Sequence, residues 1–295
     1  MGFTLPSAGV TPAPSENREM LRTTFRSVRR GREAVRSVKI VGGAFAAAIL
    51  LLAAGKAHAG WVKGEFTSGG KPVNEYHCAP TGSEPHPAVV MLHGASLSKD
   101  AGNAEYEKMC GELADLGYYV EFIEYYSQTD AVGARQPGEM IKNFPTWLEE
   151  IHSGLDALDK NPAVDPHRVA LLGFSLGSFL SLSVGAIDPG QIAAIVEYYG
   201  GLPPTLQYGA KLMPPTLILH GDKDVLVPVA MAHTLDELLT KEKRPHEMKI
   251  YEGANHAFNF PQLPFWYDAD DAQDAWNRSV KFLAANLKGS DAHAK

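Results

Sequence analysis

Arg168-Val169-Ala170-Leu171-Leu172-Gly173-Phe174-Ser175-Leu176-Gly177 is the stretch on which the reading of this chain turns. An apolar run, Val169 to Leu172, reads as a buried strand. Leu176–Ala186 follows and is apolar nearly all round, so it reads as a buried helix. Between them stands G-x-S-x-G, with Gly173 and Gly177 flanking Ser175. A strand-to-helix turn this tight leaves no room for side chains at the flanking positions. It also exposes the central hydroxyl beside a helix N-terminus, whose dipole favours developing negative charge. Any glycine-rich turn produces the bare pattern. The strand before and the helix after make Ser175 a candidate nucleophile rather than a turn serine.

A serine hydroxyl needs a base, and a base needs an orienting acid. Downstream, His220-Gly221-Asp222-Lys223-Asp224 ends another apolar strand and offers two carboxylates. Glu252-Gly253-Ala254-Asn255-His256 follows the next strand. Taken singly, Asp224 reads as a loop carboxylate and His256 as a loop histidine. In the order Ser175, Asp224, His256, each just past a strand, they read as nucleophile, acid and base. Upstream, Leu92-His93-Gly94-Ala95 ends a strand over Pro87–His93. The backbone N–H groups of Ala95 and Leu176 are the candidate oxyanion donors, with His93 assigned a structural part. Such chemistry calls for no metal or coenzyme.

Outward from these phrases the chain alternates strands and helices. Strands are expected at Val73–Cys78, Tyr118–Ile123, Ile192–Tyr198, Thr216–His220 and Glu247–Tyr251. Helices are expected at Ala104–Leu116, Phe144–Asp159, Val229–Lys241 and Ala272–Leu287. Ser127–Asn143 reads as a loop or lid in which Arg135 could hold a substrate carboxylate. The alternation implies one α/β domain over residues 60–295, a mostly parallel central sheet with helices on both faces. Ligands then lie at the carboxyl ends of the strands. Phe258, Phe260, Phe265, Trp266 and Tyr267 either wall a pocket there or cover the sheet edge.

Residues 1–59 differ from the rest. They hold nine basic and three acidic residues. Taking these from 27 and 34 leaves 18 basic and 31 acidic residues, a net charge of −13 over the remainder. The acidic body argues against nucleic acid as a partner, since phosphate binding needs a basic face. Arg18 to Lys39 is basic, and Ile40 to Gly55 is an uncharged run of 16 residues. That is short of the ~20 residues a membrane-spanning helix requires. Ala57 and Ala59 then supply small residues at the −3 and −1 positions of a cleavage site. The expectation is a signal peptide cleaved after Ala59, with a periplasmic or secreted product that no membrane retains. An uncleaved anchor is the alternative, and Met20 is a second candidate start. Cys78 and Cys110 read first as buried small side chains, with a disulfide, which an oxidising destination permits, as the other option.

From about Pro72 to Leu287 the chain resembles the α/β-hydrolases, and within them the dienelactone hydrolase family. The likeness rests on Pro87-Ala88-Val89-Val90, on Asp165 through Gly177, on His220 through Asp224, and on Tyr251-Glu252-Gly253-Ala254-Asn255-His256-Ala257-Phe258. It implies the α/β-hydrolase fold, with Asp224 as the acid and Asp222 as a helper or turn residue. The family's name-giving enzyme carries a cysteine nucleophile and a glutamate in its first loop. Here those places hold Ser175 and His93-Gly94. The resemblance therefore implies a carboxylesterase or lactonase acting on small molecules, with acyl transfer, peptide cleavage or a non-catalytic binding role as the alternatives.

Overall fold

The computed structural model describes residues 60–95, 103–129, 137–190 and 192–288. The expected leader, residues 1–59, and Arg135 lie outside the described residues. In chain order the elements are β1 (Val62–Ser68), β2 (Lys71–Cys78), β3 (His86–Leu92), α1 (Asn103–Asp115), β4 (Tyr119–Ile123), α2 (Pro137–Leu158), β5 (Val164–Phe174) and α3 (Leu176–Ile187). There follow β6 (Ile192–Tyr198), a 3-10 helix (Pro204–Leu212), β7 (Thr216–Gly221), α4 (Ala230–Lys241), β8 (His246–Tyr251) and α5 (Ala269–Leu287).

The strands form one sheet in the order β1-β2-β4-β3-β5-β6-β7-β8. β1 and β2 pair antiparallel, as do β2 and β4, and every later pairing is parallel. Parallel strands must be joined by crossovers, and here helices supply them, which is why both faces are covered. The two-residue period of β3 shows the result. Ala88, Val90 and Leu92 enter one core with Trp147, Ile151 and Leu180, while Val89 and Met91 enter the other with Leu113 and Leu283. Both sets are buried, so the strand reads as a continuous apolar run.

The chain winds outward in both directions from β3, with β4 on one side and β5 on the other. In sheets of this kind such a switch point, at the carboxyl ends of the strands, is where ligands bind. Ala95 follows β3 and Ser175 follows β5, so both stand at it.

Three departures from the sequence reading stand out. α2 starts at Pro137, inside the segment expected to be a loop, and carries Pro145 within it. Proline forfeits an intrahelical hydrogen bond, but Met140 and Phe144 pack on the core from this first stretch. Tertiary packing therefore carries the helix past its breaker. β1 was not foreseen, because an edge strand with exposed Val62, Lys63 and Glu65 lacks a clear apolar alternation. Finally, Cys78 at the end of β2 is bonded to Cys110 in α1 across 32 residues, which settles the open reading of the two cysteines.

Candidate active site

Gly173 and Gly177 make the turn around Ser175 possible. A Cβ built on Gly177 would stand 2.1 Å from the Leu92 carbonyl oxygen, and one on Gly173 would stand 2.5 Å from the Gly177 oxygen. Neither neighbour is a flexible side chain, so both places require glycine. Ser175 itself sits at φ 52° and ψ −115°. A residue with a Cβ adopts this region at a cost of about 1–3 kcal/mol. The turn is held by the Ser175 N–H donating to the Tyr198 carbonyl at 2.9 Å and by the Ser175 carbonyl accepting from Ser178 and Phe179.

His256 reaches this hydroxyl from the loop after β8. Its Nε2 lies 2.9 Å from Ser175 Oγ, and its Nδ1 lies 2.7 Å from Asp224 Oδ2. An ionised carboxylate only accepts, so Nδ1 carries the proton and the Nε2 lone pair faces the serine O–H. Burial pushes the Asp224 carboxyl up, but hydrogen bonds from His220, His256 and the Val227 N–H outweigh it and hold the group well below the usual carboxylate range. Asp224 Oδ1 accepts from the N–H groups of Leu226 and Val227 at 2.8 and 2.7 Å, which fixes the plane of the carboxylate. Asp222 does something else: its Oδ1 accepts from the Gly253 N–H at 2.7 Å and ties the two loops together.

The first loop closes over the same point. A Cβ on Gly94 would come within 3.5 Å of Ser175 Cβ, so this loop lies against the serine. The Gly94 N–H donates to Tyr106 Oη at 3.2 Å and is therefore taken. Ala95 follows Gly94 on the same loop, and Tyr126 Oη donates to its carbonyl at 3.4 Å. Leu176 is the first residue of α3, where an N–H has no intrahelical acceptor. His93 is wholly buried, stacks on Tyr125 with centroids 3.9 Å apart and bonds the Gly94 carbonyl through Nδ1 at 2.8 Å. Burial lowers its pKa to about 3, so the ring stays neutral and shapes the loop.

Several neighbours were not legible in the sequence. Asn255 Oδ1 accepts from the N–H groups of His256 and Val225, stapling the His256 loop to the Asp224 loop. Tyr199, at a positive φ of 42°, lays its ring 4.7 Å from the His256 ring. Trp266 stands edge-on to His256 at 6.2 Å. The aromatic segment thus divides between its two expected parts. Phe258 is fully buried with Tyr251 in the core, whereas Trp266 flanks His256 and Phe265 is almost entirely exposed.

A model of the dienelactone hydrolase family matches residues 73–287. Protein usf of Aquifex pyrophilus is 25% identical over 229 residues, which span 76% of this chain and 97% of that protein. A protein named "Putative carboxymethylenebutenolidase" from Aquifex aeolicus is 24% identical over 230 residues, spanning 76% of this chain and 98% of the other. A dienelactone hydrolase-like promiscuous phosphotriesterase recovered from metagenomic libraries superposes with a TM-score of 0.68 at 22% identity, covering 78% of this chain and 99% of that one.

Proposed function

Because the chain belongs to the dienelactone hydrolase family, a family of hydrolases, we propose that it is a serine hydrolase that opens small carboxylic esters or lactones through an acyl-enzyme. The observation that carries this reading is the unbroken hydrogen-bonded series Asp224–His256–Ser175 at a glycine-flanked elbow. Ser175 Oγ attacks the carbonyl carbon while His256 Nε2 takes its proton. The oxyanion accepts hydrogen bonds from the N–H groups of Ala95 and Leu176. His256 then returns the proton to the leaving alkoxide, and water repeats the sequence to free the acid. Asp224 holds the imidazole in the tautomer this requires and stabilises the imidazolium that forms.

Tyr199 and Trp266 beside His256 give the leaving or acyl group an apolar border, which suits uncharged ester substrates. The name of the Aquifex aeolicus relative refers to a butenolide, which is a lactone, and this supports including cyclic esters. Export is part of the proposal, with cleavage after Ala59 and a periplasmic or secreted product. The Cys78–Cys110 disulfide supports it, since such bonds persist in oxidising compartments.

The test is labelling with a fluorophosphonate, followed by a panel of esters of graded acyl length, lactones and a peptide. Wild type should take one label and turn over esters or lactones. Ser175→Ala should fold, take no label and keep only the residual rate that binding and the two N–H donors provide. Near-normal esterase rates in Ser175→Ala would sink the mechanism. Peptide cleavage without ester turnover would sink the substrate class alone.

A further inference from the structure

The first loop has a glycine at a place where direction matters. Gly94 stands between two peptide units, His93–Gly94 and Gly94–Ala95, and the second contains the N–H assigned above to the oxyanion. Glycine turns more freely than any other residue about its backbone bonds. Such a loop presents an N–H in one direction only if other groups hold the peptide planes beside the glycine. In a trans peptide the C=O and the N–H point opposite ways. The His93 carbonyl accepts from Tyr125 Oη at 2.5 Å and the Gly94 N–H donates to Tyr106 Oη at 3.2 Å, so hydroxyls grip both edges of the first plane. In the second, the Gly94 carbonyl lies 2.8 Å from His93 Nδ1, which must carry the hydrogen because a carbonyl only accepts. That bond turns the Ala95 N–H to the other side. Tyr126 Oη donates to the Ala95 carbonyl at 3.4 Å.

Tyr125 and Tyr126 follow β4, whereas Tyr106 belongs to α1 and ties the loop to a helix. Tyr106 is itself well held. It is buried, and its ring lies 4.9 Å from that of Phe122, 5.5 Å from Phe174 and 5.4 Å from Phe260. One turn further along α1, Cys110 is bonded to Cys78 at the end of β2, which fastens this helix to the sheet. Phe174 is the residue before Ser175, and a Cβ on Gly94 would stand 3.5 Å from Ser175 Cβ. Helix, loop and nucleophile are thus in contact through Tyr106, Gly94 and Phe174. Burial raises the pKa of the Tyr106 phenol, so Oη stays a neutral hydroxyl.

We propose that Tyr106 is a positioning residue for the oxyanion: by accepting the Gly94 N–H, it fixes the direction from which the Ala95 N–H meets the oxygen of the carbonyl that Ser175 attacks. This rests on the reading of Ser175 and of the Ala95 N–H given above. The oxygen of the tetrahedral intermediate carries more charge than the ester carbonyl and stands in a different place. A misdirected N–H therefore costs the transition state more than it costs the bound substrate. Without the hydroxyl, the Gly94 N–H loses its acceptor beside the buried Tyr106 ring. A buried donor left unpaired is expensive, and glycine lets the loop turn to satisfy it. The Ala95 N–H turns with the loop.

The test is Tyr106→Phe in the full-length protein, which removes the hydroxyl and keeps the ring contacts. On a small ester kcat should fall about tenfold, part of the roughly 10²–10³ that loss of a whole oxyanion donor costs, with KM within about twofold. A trifluoromethyl ketone of the same acyl group, whose hemiketal oxygen takes the oxyanion's place, should bind more weakly by the same factor as kcat falls. An ether isostere of the ester forms no oxyanion and should inhibit both proteins alike. A role in stability alone predicts a lower urea midpoint with kcat and ketone binding unmoved, and that result, or a rise in kcat, overturns the proposal. If Tyr106→Phe does not fold, hydrogen exchange of the Gly94 amide in wild type decides. Exchange as slow as in β3 supports the clamp, and exchange as fast as in an open loop overturns it. Wild type that takes no fluorophosphonate strikes the serine reading and this proposal with it. Labelled, active wild type beside an equally active Tyr106→Phe strikes the proposal alone.

Discussion

Breaking the Cys78–Cys110 bond should cost a large share of the stability of this domain. The bond joins the last residue of β2 to the middle of α1 and closes a segment of 32 residues that includes β3 and the first loop of the site. Cross-linking removes chain entropy from the unfolded ensemble in proportion to the logarithm of that length, which comes to roughly 3.7 kcal/mol at 25 °C. Both half-cystines are buried in one apolar core with Val89, Met91 and Leu113, and reduction removes none of these side chains. The reduced protein should therefore fold, at lower stability. Against a total of ~5–15 kcal/mol, this loss is large. With a urea slope of about 2.5 kcal/mol/M, the unfolding midpoint should fall by about 1.5 M. The assay is urea unfolding of the oxidised protein with and without a phosphine reductant, with thiol counting to show that the bond is broken. Equal midpoints after confirmed reduction would refute the entropic account. Two free thiols in protein recovered from an oxidising host would refute the pairing.

Asp224→Asn should lower kcat by about 10⁴, because the amide favours the wrong histidine tautomer, as in other triads of this kind. Asp222→Asn should cost little, since an amide oxygen still accepts from the Gly253 N–H, and steady-state kinetics on one ester will rank the two. Glu150, wholly buried in α2, has its carboxyl pushed up by burial to about 8. Its unfolded counterpart ionises near pH ~4.3, so stability falls as pH rises between these values, and the loss is complete above the folded pKa. Glu150→Gln should match wild type in urea unfolding near pH 4 and exceed it by roughly 2–4 kcal/mol above pH ~8; an advantage independent of pH would contradict this. N-terminal sequencing of exported protein should begin at Gly60, and mature protein that retains Ile40–Gly55 would contradict cleavage after Ala59.

The parts of the molecule that the sequence foretold are those whose residues are neighbours along the chain. Ile192–Tyr198 could be bounded to the residue because a short apolar run between turn signals admits little else. The elbow could be read because glycine, strand and helix all fall within ten residues. The acid and base came from order and position after strands, and Asp224 could be preferred over Asp222 only through the family resemblance. What escaped depends on distance in space. Tyr199 and Trp266 converge on His256 from the end of β6 and from the loop before α5, and neither carries a local signal. The start of α2 was obscured by Gly138 and Pro145, whose local preference is overruled by the packing of Met140 and Phe144.

The elbow has one more consequence. The main chain around Ser175 is fixed by its N–H bond to the Tyr198 carbonyl and by glycines that admit no substitute, whereas its side chain bonds only the movable ring of His256. The place of the side chain and its chemistry are thus separate properties of the chain. An exchange of oxygen for sulfur at Ser175 should change acidity and reactivity while the turn keeps its shape, so a folded Ser175→Cys with wild-type urea unfolding is the expected outcome. The fold behaves as a holder with an interchangeable tip.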